Sequence, residues 1–467
     1  MIDPASKTAG RAERRAAPKP ARAPLGDRPA YPSGEGQTYT LHRGTAPLLV
    51  SLPHVGTVIP GDIASRLRPF ALAVADTDWH LERLYAFARD DLGASIIVPR
   101  FSRYCIDLNR PPENTPMYAG TNNTELCPTH AFTGEPLYRD GENPDDAEIA
   151  RRLATYWRPY HDALAGELAR IKAEHGHAVL FDGHSIKSEL PWLFEGRLPD
   201  LNLGTASGAS CDPMLRAALG DVLAAQTQYT QVVDGRFTGG YITRQYGRPA
   251  DGLHAVQLEM CWRCYMEEQA PFEYDPARAA RVLPLLRRLA ATMLALPAAL
   301  PGVQFERVDP LHPEAMALLQ EAALEARRLY PDLIEAAAPM PTNEPAAPRS
   351  VYLLARRGGK AVACGALRPI DAQCAEVRRM YVLAAERRGG LARAMLAQLE
   401  FAAIGMGYTR LRLETGNRQQ PAMALYEACG FHRVAPFGPY VGDPFSVCFE
   451  KALRPGPGMP EPQSTLT

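Results

Sequence analysis

Two histidines stand at the ends of apolar runs: His54 closes Leu-Leu-Val-Ser-Leu-Pro-His, and His184 follows Val-Leu-Phe-Asp-Gly. Glu259 lies inside a third run, Val-Gln-Leu-Glu-Met. Such runs read as buried strands, and in open α/β sheets ligands gather beyond the carboxyl ends of the strands. Two imidazoles and a carboxylate gathered there have the chemistry to hold or serve a divalent metal. Zinc takes neutral imidazole and carboxylate oxygen, and a catalytic site keeps one position for water. Asp78, in Ala-Asp-Thr-Asp-Trp-His ahead of a helix, is a further candidate ligand, with Asp76 and His80 as rivals. The competing assignment is ordinary loop histidines and an aspartate that caps a helix. Spacing alone leaves both open, because the chain has no His-Glu-x-x-His.

Arginines recur near these groups. In Arg103-Tyr-Cys-Ile-Asp-Leu-Asn109-Arg110 two guanidinium forks flank a strand-like run, suited to a carboxylate or to an ion pair with Asp107. Arg236 and Arg244 lie in Gly-Arg-Phe-Thr-Gly-Gly-Tyr-Ile-Thr-Arg, whose glycines permit unusual torsions and whose arginines can serve a second carboxylate.

A different pattern stands further along. Glu386-Arg387-Arg388-Gly389-Gly390-Leu391-Ala392-Arg393 falls between an expected strand and an expected helix. Glycines there let successive N–H groups point to one place at a helix N-terminus, which makes an anion cradle. No Gly-Lys-Ser/Thr follows, so this is not a nucleotide P-loop. A plain helix-starting loop is the alternative.

The elements that position these residues fall into two blocks. From Tyr39 to Leu296, strands are expected at 47–52, 94–98, 178–181 and 254–260, with helices at 79–92, 147–175 and 276–296. That alternation predicts an α/β domain with a largely parallel sheet. Residues 297–302 carry two prolines and a glycine and read as a linker between separable domains. Beyond it, helices are expected at 314–329, 390–404 and 421–429. Strands are expected at 351–356, 361–367, 375–382, 409–413 and 445–451. The expected organisation is a tail over 1–35, one domain over 36–298, another over 303–453 and a second tail over 454–467. Both tails are poor in large apolar residues and read as disordered.

The first block's motifs together resemble the N-formylglutamate deformylase (N-formylglutamate amidohydrolase) family. They are Ser-Leu-Pro-His54-Val-Gly, Asp-Thr-Asp78-Trp-His, Ser-Arg103-Tyr-Cys-Ile-Asp-Leu-Asn-Arg110-Pro, Asp-Gly-His184-Ser-Ile, the Arg236–Arg244 segment and His-Ala-Val-Gln-Leu-Glu259-Met. The resemblance implies a zinc-carboxypeptidase-like (phosphorylase/hydrolase-like) α/β fold and release of formate from N-formyl-L-glutamate in histidine degradation. It implies Zn2+ or a similar divalent metal on His54, His184 and a middle ligand, Asp78, with Asp76 and His80 as its alternatives. Glu259 would then act as general acid–base and Arg103 as oxyanion partner, with Asn109, Arg110, Arg236 and Arg244 on substrate carboxylates.

The second block resembles the GNAT acyltransferase family, an α+β fold. The resemblance rests on Glu376-Val-Arg-Arg-Met-Tyr381-Val382, on Arg387-x-x-Gly390-x-Ala392, on Leu-Glu-Thr-Gly-Asn417 and on Ala-Leu-Tyr426-Glu-Ala-Cys-Gly-Phe431. It implies acetyl-CoA held by the loop from Arg387 through Arg388, Gly389, Gly390 and Leu391 to Ala392, by the strand end at Tyr381 and Val382, and by Asn417. Tyr426 is the candidate acid for the departing thiolate, with core packing as its alternative, and Glu376 is a candidate base. The pair of resemblances predicts a bifunctional enzyme. The other reading makes the second block a CoA-binding regulatory module.

Composition limits the rest. Across 467 residues the formal net charge is −1, which gives no electrostatic reason to expect nucleic acid or an anionic membrane as partner. No apolar stretch reaches transmembrane length and no secretory signal is visible, so small-molecule substrates and a cytoplasmic location are expected. The nine cysteines form no disulfide framework; Cys261 and Cys264 are a lone Cys-x-x-Cys without a second pair at zinc spacing.

Overall fold

Leu48 to Ser51 and Ala178 to Ile186 are buried at every residue, on both faces, as strands covered by helices on either side must be. They belong to a seven-stranded sheet whose members are β1 (Tyr39–His42), β2 (Leu48–Ser51), β3 (Ser95–Pro99), β4 (Ala178–Ile186), β5 (Leu201–Gly204), β6 (Gln231–Val233) and β7 (Leu253–Cys261). The spatial order is β1-β3-β2-β4-β7-β5-β6. The centre, β3-β2-β4-β7, is parallel, while β1 on β3 and β5 on β7 are antiparallel. The structure, a computed structural model, describes residues 37–115, 124–335 and 337–453, so both expected tails lie outside the described residues.

The helices of this half are α1 (Gly61–Ala64), α2 (Leu81–Leu84), α3 (Ala86–Asp90), α4 (Asp146–Arg152), α5 (Arg158–His175), α6 (Pro213–Ala224), α7 (Tyr241–Tyr246) and α8 (Pro276–Leu294). Two expected helices are interrupted. The one over 79–92 breaks at Tyr85, whose ψ of 4° leaves the helical range. The one over 147–175 passes through a π-turn at Leu153–Trp157 just ahead of Pro159, which has no N–H to continue an i→i−4 ladder.

A second seven-stranded sheet contains β8 (Val303–Val308), β9 (Val351–Arg357), β10 (Lys360–Pro369), β11 (Cys374–Val382), β12 (Arg410–Gly416), β13 (His432–Val434) and β14 (Ser446–Ala452), in the order β13-β14-β12-β11-β10-β9-β8. Its helices are α9 (Pro313–Leu329), α10 (Leu391–Gly405) and α11 (Gln420–Ala428). Only β11 and β12 pair in parallel, and only from Cys374↔Arg410 to Val377↔Leu413. Beyond that point they part, and β11 carries a bulge: the register slips between Cys364 and Ala366 of β10, and Arg379 takes a φ of +59°. The two faces of this sheet differ. Leu353, Leu367 and Val377 share a cluster with Leu396 and Leu399 of α10, while Tyr352, Leu354 and Ala366 pack with Ala315 and Leu318 of α9.

The stretch read as a linker joins α8 to β8, and the two halves are packed on each other where α6 and α8 meet α10 and β8. One buried apolar cluster runs from Val222 and Leu286 to Leu399 and Phe401. A Cβ built on Gly405 of α10 would lie 3.0 Å from the Ala218 side chain of α6 and 3.1 Å from its backbone. Arg307 of β8 pairs with Asp221 of α6 at 2.7 Å. Because backbone lines the contact, Gly405→Val has no flexible neighbour to displace. It is expected to destabilise the protein by about 1–3 kcal/mol, read as a lower urea midpoint for the unfolding of both halves.

Candidate active sites

Neighbouring parallel strands place side chains of equal register side by side. β4 and β7 pair Asp182 with Gln257 and His184 with Glu259. Alternation turns all four to the face that Leu180 and Ala255 share with Leu164 and Leu168 of α5. His54 enters from the loop after β2, and the Asp78 N–H donates to the His54 carbonyl at 3.0 Å, which fixes that loop beside the histidine.

All these groups are nearly excluded from water, and each ring has a carboxylate behind it. Asp107 Oδ1 stands 2.8 Å from His54 Nε2, and Asp182 Oδ2 stands 3.0 Å from His184 Nε2. An ionised carboxylate only accepts, which places the protons on Nε2 and turns both Nδ1 lone pairs inward. Those Nδ1 atoms are 3.2 Å apart, with Asp78 Oδ2 at 3.4 Å from His184 Nδ1 and 3.8 Å from His54 Nδ1. His54, Asp78 and His184 offer donor atoms all within 4.8 Å of one another, the one such group among the described residues. Three converging lone pairs repel unless a cation or proton stands among them, so the donor set fits a divalent metal.

The rivals of Asp78 have other partners. Asp76 accepts from the Tyr104 hydroxyl and the Phe132 N–H, both at 2.8 Å, and His80 Nε2 contacts the Phe272 carbonyl at 2.8 Å.

Charges inside the site are strongly biased. Burial alone would raise the Asp107 carboxyl, but Arg103, His54 and Arg110 outweigh it and hold it well below the usual range. Burial and then Arg103 lower His54. For His184 burial works against the charge, yet Asp182 and Asp78 leave it well above its ordinary value. Glu259 is pushed up to about 8, first by burial, with Asp78 adding to it. No hydrogen bond within the described residues ties its carboxyl.

A cleft opens onto this cluster, lined by His54, Asp78, Arg103, Asn109, Arg110, Phe132, His184, Arg236, Gln257 and Glu259 among others. Arg103 is clamped, with Nη2 on Asp107 at 2.6 Å and Nη1 on His54 Nδ1 at 3.2 Å, and its plane lies over Phe132. Asn109 is a strut: Oδ1 accepts from Ile242 N–H at 2.8 Å and Nδ2 lies 3.0 Å from His184 Nε2. Arg110 donates to Thr124 and to the Asn109 carbonyl, and Arg236 donates to the Leu193 carbonyl at 2.6 Å. Arg244 departs from expectation. It is exposed on α7, bonds Gly239 and Thr238, and is not among the cleft-lining residues, because α7 turns it outward. Asp182 and Gln257 escaped the sequence reading, although a polar residue inside an unbroken buried run was the available signal.

In the second sheet the cradle begins α10. Gly390 has a φ of +82°, and a Cβ there would meet only Leu300 at 3.9 Å, so the space before the helix is open. Arg388 also adopts a positive φ, +68°. The N–H groups of Arg388, Gly389 and Gly390 donate to no backbone carbonyl among the described residues. Leu391 is buried and Ala392 is partly buried against the core. The Arg387 side chain is already engaged: it donates to Glu325 at 2.6 and 2.9 Å and to the Val382 carbonyl at 3.0 Å, and Tyr381 shares Glu325. Tyr426 of α11 packs against Phe431 and against Phe449 of β14, and burial pushes its phenol up to about 12. The packing alternative to its acid role is thus met by these rings, while its hydroxyl makes no hydrogen bond within the described residues. Glu376 accepts from Tyr440 at 2.6 Å. Glu414, missed in the sequence, accepts from Ser446 at 2.8 Å and is raised by burial and by its neighbours Asp443 and Glu376. The Asn417 side-chain oxygen is buried without a partner among the described residues.

The Asp107 pair can be tested apart from activity. Truncation in Asp107→Ala leaves Arg103 buried without its counter-charge and is expected to cost about 3–5 kcal/mol in urea unfolding. The sign in pH follows from the depressed carboxyl. Its stabilisation is complete above the ordinary value of 3.8 and is lost as pH falls toward the lower folded value, so the variant's deficit should shrink in acid. A deficit that is unchanged in acid would contradict this assignment.

Residues 46–266 match the N-formylglutamate amidohydrolase family model, and residues 316–431 match the acetyltransferase (GNAT) family model. An N-formylglutamate deformylase of Pseudomonas aeruginosa is 50% identical over 259 residues, which are 56% of this chain and 97% of that protein. An IAA acetyltransferase of Azospirillum brasilense is 37% identical over 156 residues, 33% of this chain and 100% of that protein. The crystal structure of an N-formylglutamate amidohydrolase from Ralstonia eutropha JMP134 aligns with 55% of this chain and 96% of its own, at 25% identity and a TM-score of 0.46. The carboxylate-backed histidines of the first sheet and the splayed strands of the second thus belong to a chain that is a member of the N-formylglutamate amidohydrolase family in its first half and of the GNAT acetyltransferase family in its second, a hydrolase and an acetyltransferase in one polypeptide.

Proposed function

We propose that the first site hydrolyses N-formyl-L-glutamate to formate and L-glutamate, as a step of histidine degradation, with a divalent metal held by His54, Asp78 and His184. The observation that carries the reading is the convergence of those three donors beside Glu259, at equal register on the adjacent strand. The nitrogen and oxygen donor set suits zinc, and such an ion supplies Lewis acidity that makes water a nucleophile near neutral pH.

The chain's own residues do the rest. Glu259, untied and raised toward neutrality, accepts the proton of the attacking water and returns it to the amine as the C–N bond breaks. Arg103 lines the cleft with its Nε buried and unpartnered among the described residues, which leaves a donor for the developing oxyanion. Arg110 and Arg236 line the same cleft and face the substrate carboxylates. Asp182 accepts the His184 Nε2 proton and so holds that ring in place.

For the second site we infer transfer of an acetyl group from acetyl-CoA to an amine. The pyrophosphate would rest on the backbone N–H groups from Arg387 to Ala392, and Tyr426 would protonate the thiolate. This reading is supported by the open, donor-rich turn at Gly390 and by the backbone of β11 beyond Val377, which β12 leaves unpaired.

Glu259→Gln should retain metal yet lose about a hundredfold or more in kcat, because an amide cannot shuttle the proton. His184→Ala should lose both metal and formate release. Elemental analysis beside a formate assay separates the two, and full activity in chelator-stripped protein would falsify the metal assignment. In the second half, Gly390→Val should abolish acetyl-CoA binding by calorimetry, whereas Arg388→Ala should change it little. Undiminished binding in the valine variant would remove the cradle from the proposal.

A further inference from the structure

The acetyltransferase reading leaves the acceptor unnamed, and a second cleft bears on it. This cleft lies on the α9 side of the second sheet and is lined by Asn343, Glu344, Tyr352, Arg368, Arg378 and Arg379 among others. Its place is telling: Val377 and Leu413 are the last residues that pair β11 with β12, and Arg378 and Arg379 come next. The cleft therefore begins where the sheet opens.

Its charge is unbalanced. Three guanidinium groups line it against the single carboxylate of Glu344. That carboxylate is shared, at 2.6 Å from Arg368 and 3.5 Å from Arg378. Arg379, carried on the bulge, has no carboxylate within 4.0 Å among the described residues; its Nη2 reaches the Thr342 carbonyl at 3.4 Å. Burial, with Arg378 adding to it, lowers the Arg379 guanidinium from its ordinary value, as expected of a cation without a counter-charge. A partly desolvated, unpaired fork is matched by a carboxylate.

Negative charge stands on the other side of Arg378. Its Nε lies 3.9 Å from Glu376, which precedes it by two residues on the same face of β11, and Glu414 follows the parting point on β12. Cationic groups next to acidic ones, at the mouth of the split, complement a small molecule that carries both a carboxylate and an ammonium.

Resting on the GNAT reading, we propose that the acetyl acceptor is a free amino acid, with its carboxylate on Arg379 and Arg378 and its amine directed to Glu376 and Glu414. The ammonium first yields a proton to a carboxylate of that pair. The amine nitrogen then bonds to the acetyl carbon, the thioester C–S bond breaks, and the second nitrogen proton leaves as the thiolate is protonated. The products are an N-acetyl amino acid, CoA and one proton. Glutamate, released by the proposed deformylation, is a member of this acceptor class.

The test uses the full chain with acetyl-CoA, following thiol release and product mass. L-Glutamate, L-leucine and L-phenylalanine are compared with isoamylamine and phenethylamine, which lack the carboxylate. The amino acids as a class should exceed the amines in kcat/KM by about tenfold or more. Arg379→Met and, independently, Arg378→Met should raise the acceptor KM by a similar factor and leave the acetyl-CoA KM unchanged, with partial recovery in Arg379→Lys. Equal turnover of the plain amines, an unmoved acceptor KM in both folded methionine variants, or acetyl-CoA binding without turnover of any amino acid would each overturn the acceptor class. Failure to bind acetyl-CoA at all would instead overturn the GNAT reading beneath it.

Discussion

Two imidazole nitrogens 3.2 Å apart, both turned inward by carboxylates behind them, are the constraint around which the first half is built. Such an arrangement is costly in a dry interior unless every other polar atom is satisfied and something positive can stand between the rings. Asp107 and Asp182 are the devices that meet the first condition. Asp107 is itself held by Arg103 and by the Asn109 N–H, and Asp182 by the Ser51 hydroxyl, which in turn meets Tyr160 of α5. The chain of contacts thus runs from helix to strand to ring. The parallel pairing of β4 with β7 then brings Glu259 alongside without any further support.

The second half solves a different problem with less buried charge. Its sheet must open rather than close, and it does so by letting β12 pair with β14 as far as Gly416 while it leaves β11 at Leu413. The bulge at Arg379 lets β11 continue along β10 while its other edge is bare. Anion binding falls to backbone donors at α10, and side chains such as Arg387 brace the loop through Glu325 instead of reaching outward.

Much of this was legible in the sequence. Polar residues inside or at the ends of unbroken apolar runs mark His54, His184 and Glu259 as candidates, because a buried polar group is costly unless it has a partner or a task. The Gly389-Gly390 pair likewise marks the start of α10. What sequence could not supply was direction. Arg244 sits in a segment as basic as that of Arg236, yet one turn of helix sends it to solvent. Asp76 and Asp78 are two residues apart, and only the course of the loop after His54 decides which of them meets the histidines. The short strands β5, β6 and β13 lack enough residues for a period to register, and Glu414 looks like any exposed strand glutamate until Ser446 and Asp443 close on it.

The close approach of Gly405 to Ala218 has a bearing on how such a chain can be divided. The Pro-Gly stretch between the halves invites a cut, but a cut there would lay bare the apolar sides of α6 and α10 at once, and each fragment would carry a sticky face into solution. The connection goes beyond tethering: one apolar cluster is shared by the two halves, so a surface of the hydrolase is also a wall of the acetyltransferase's core.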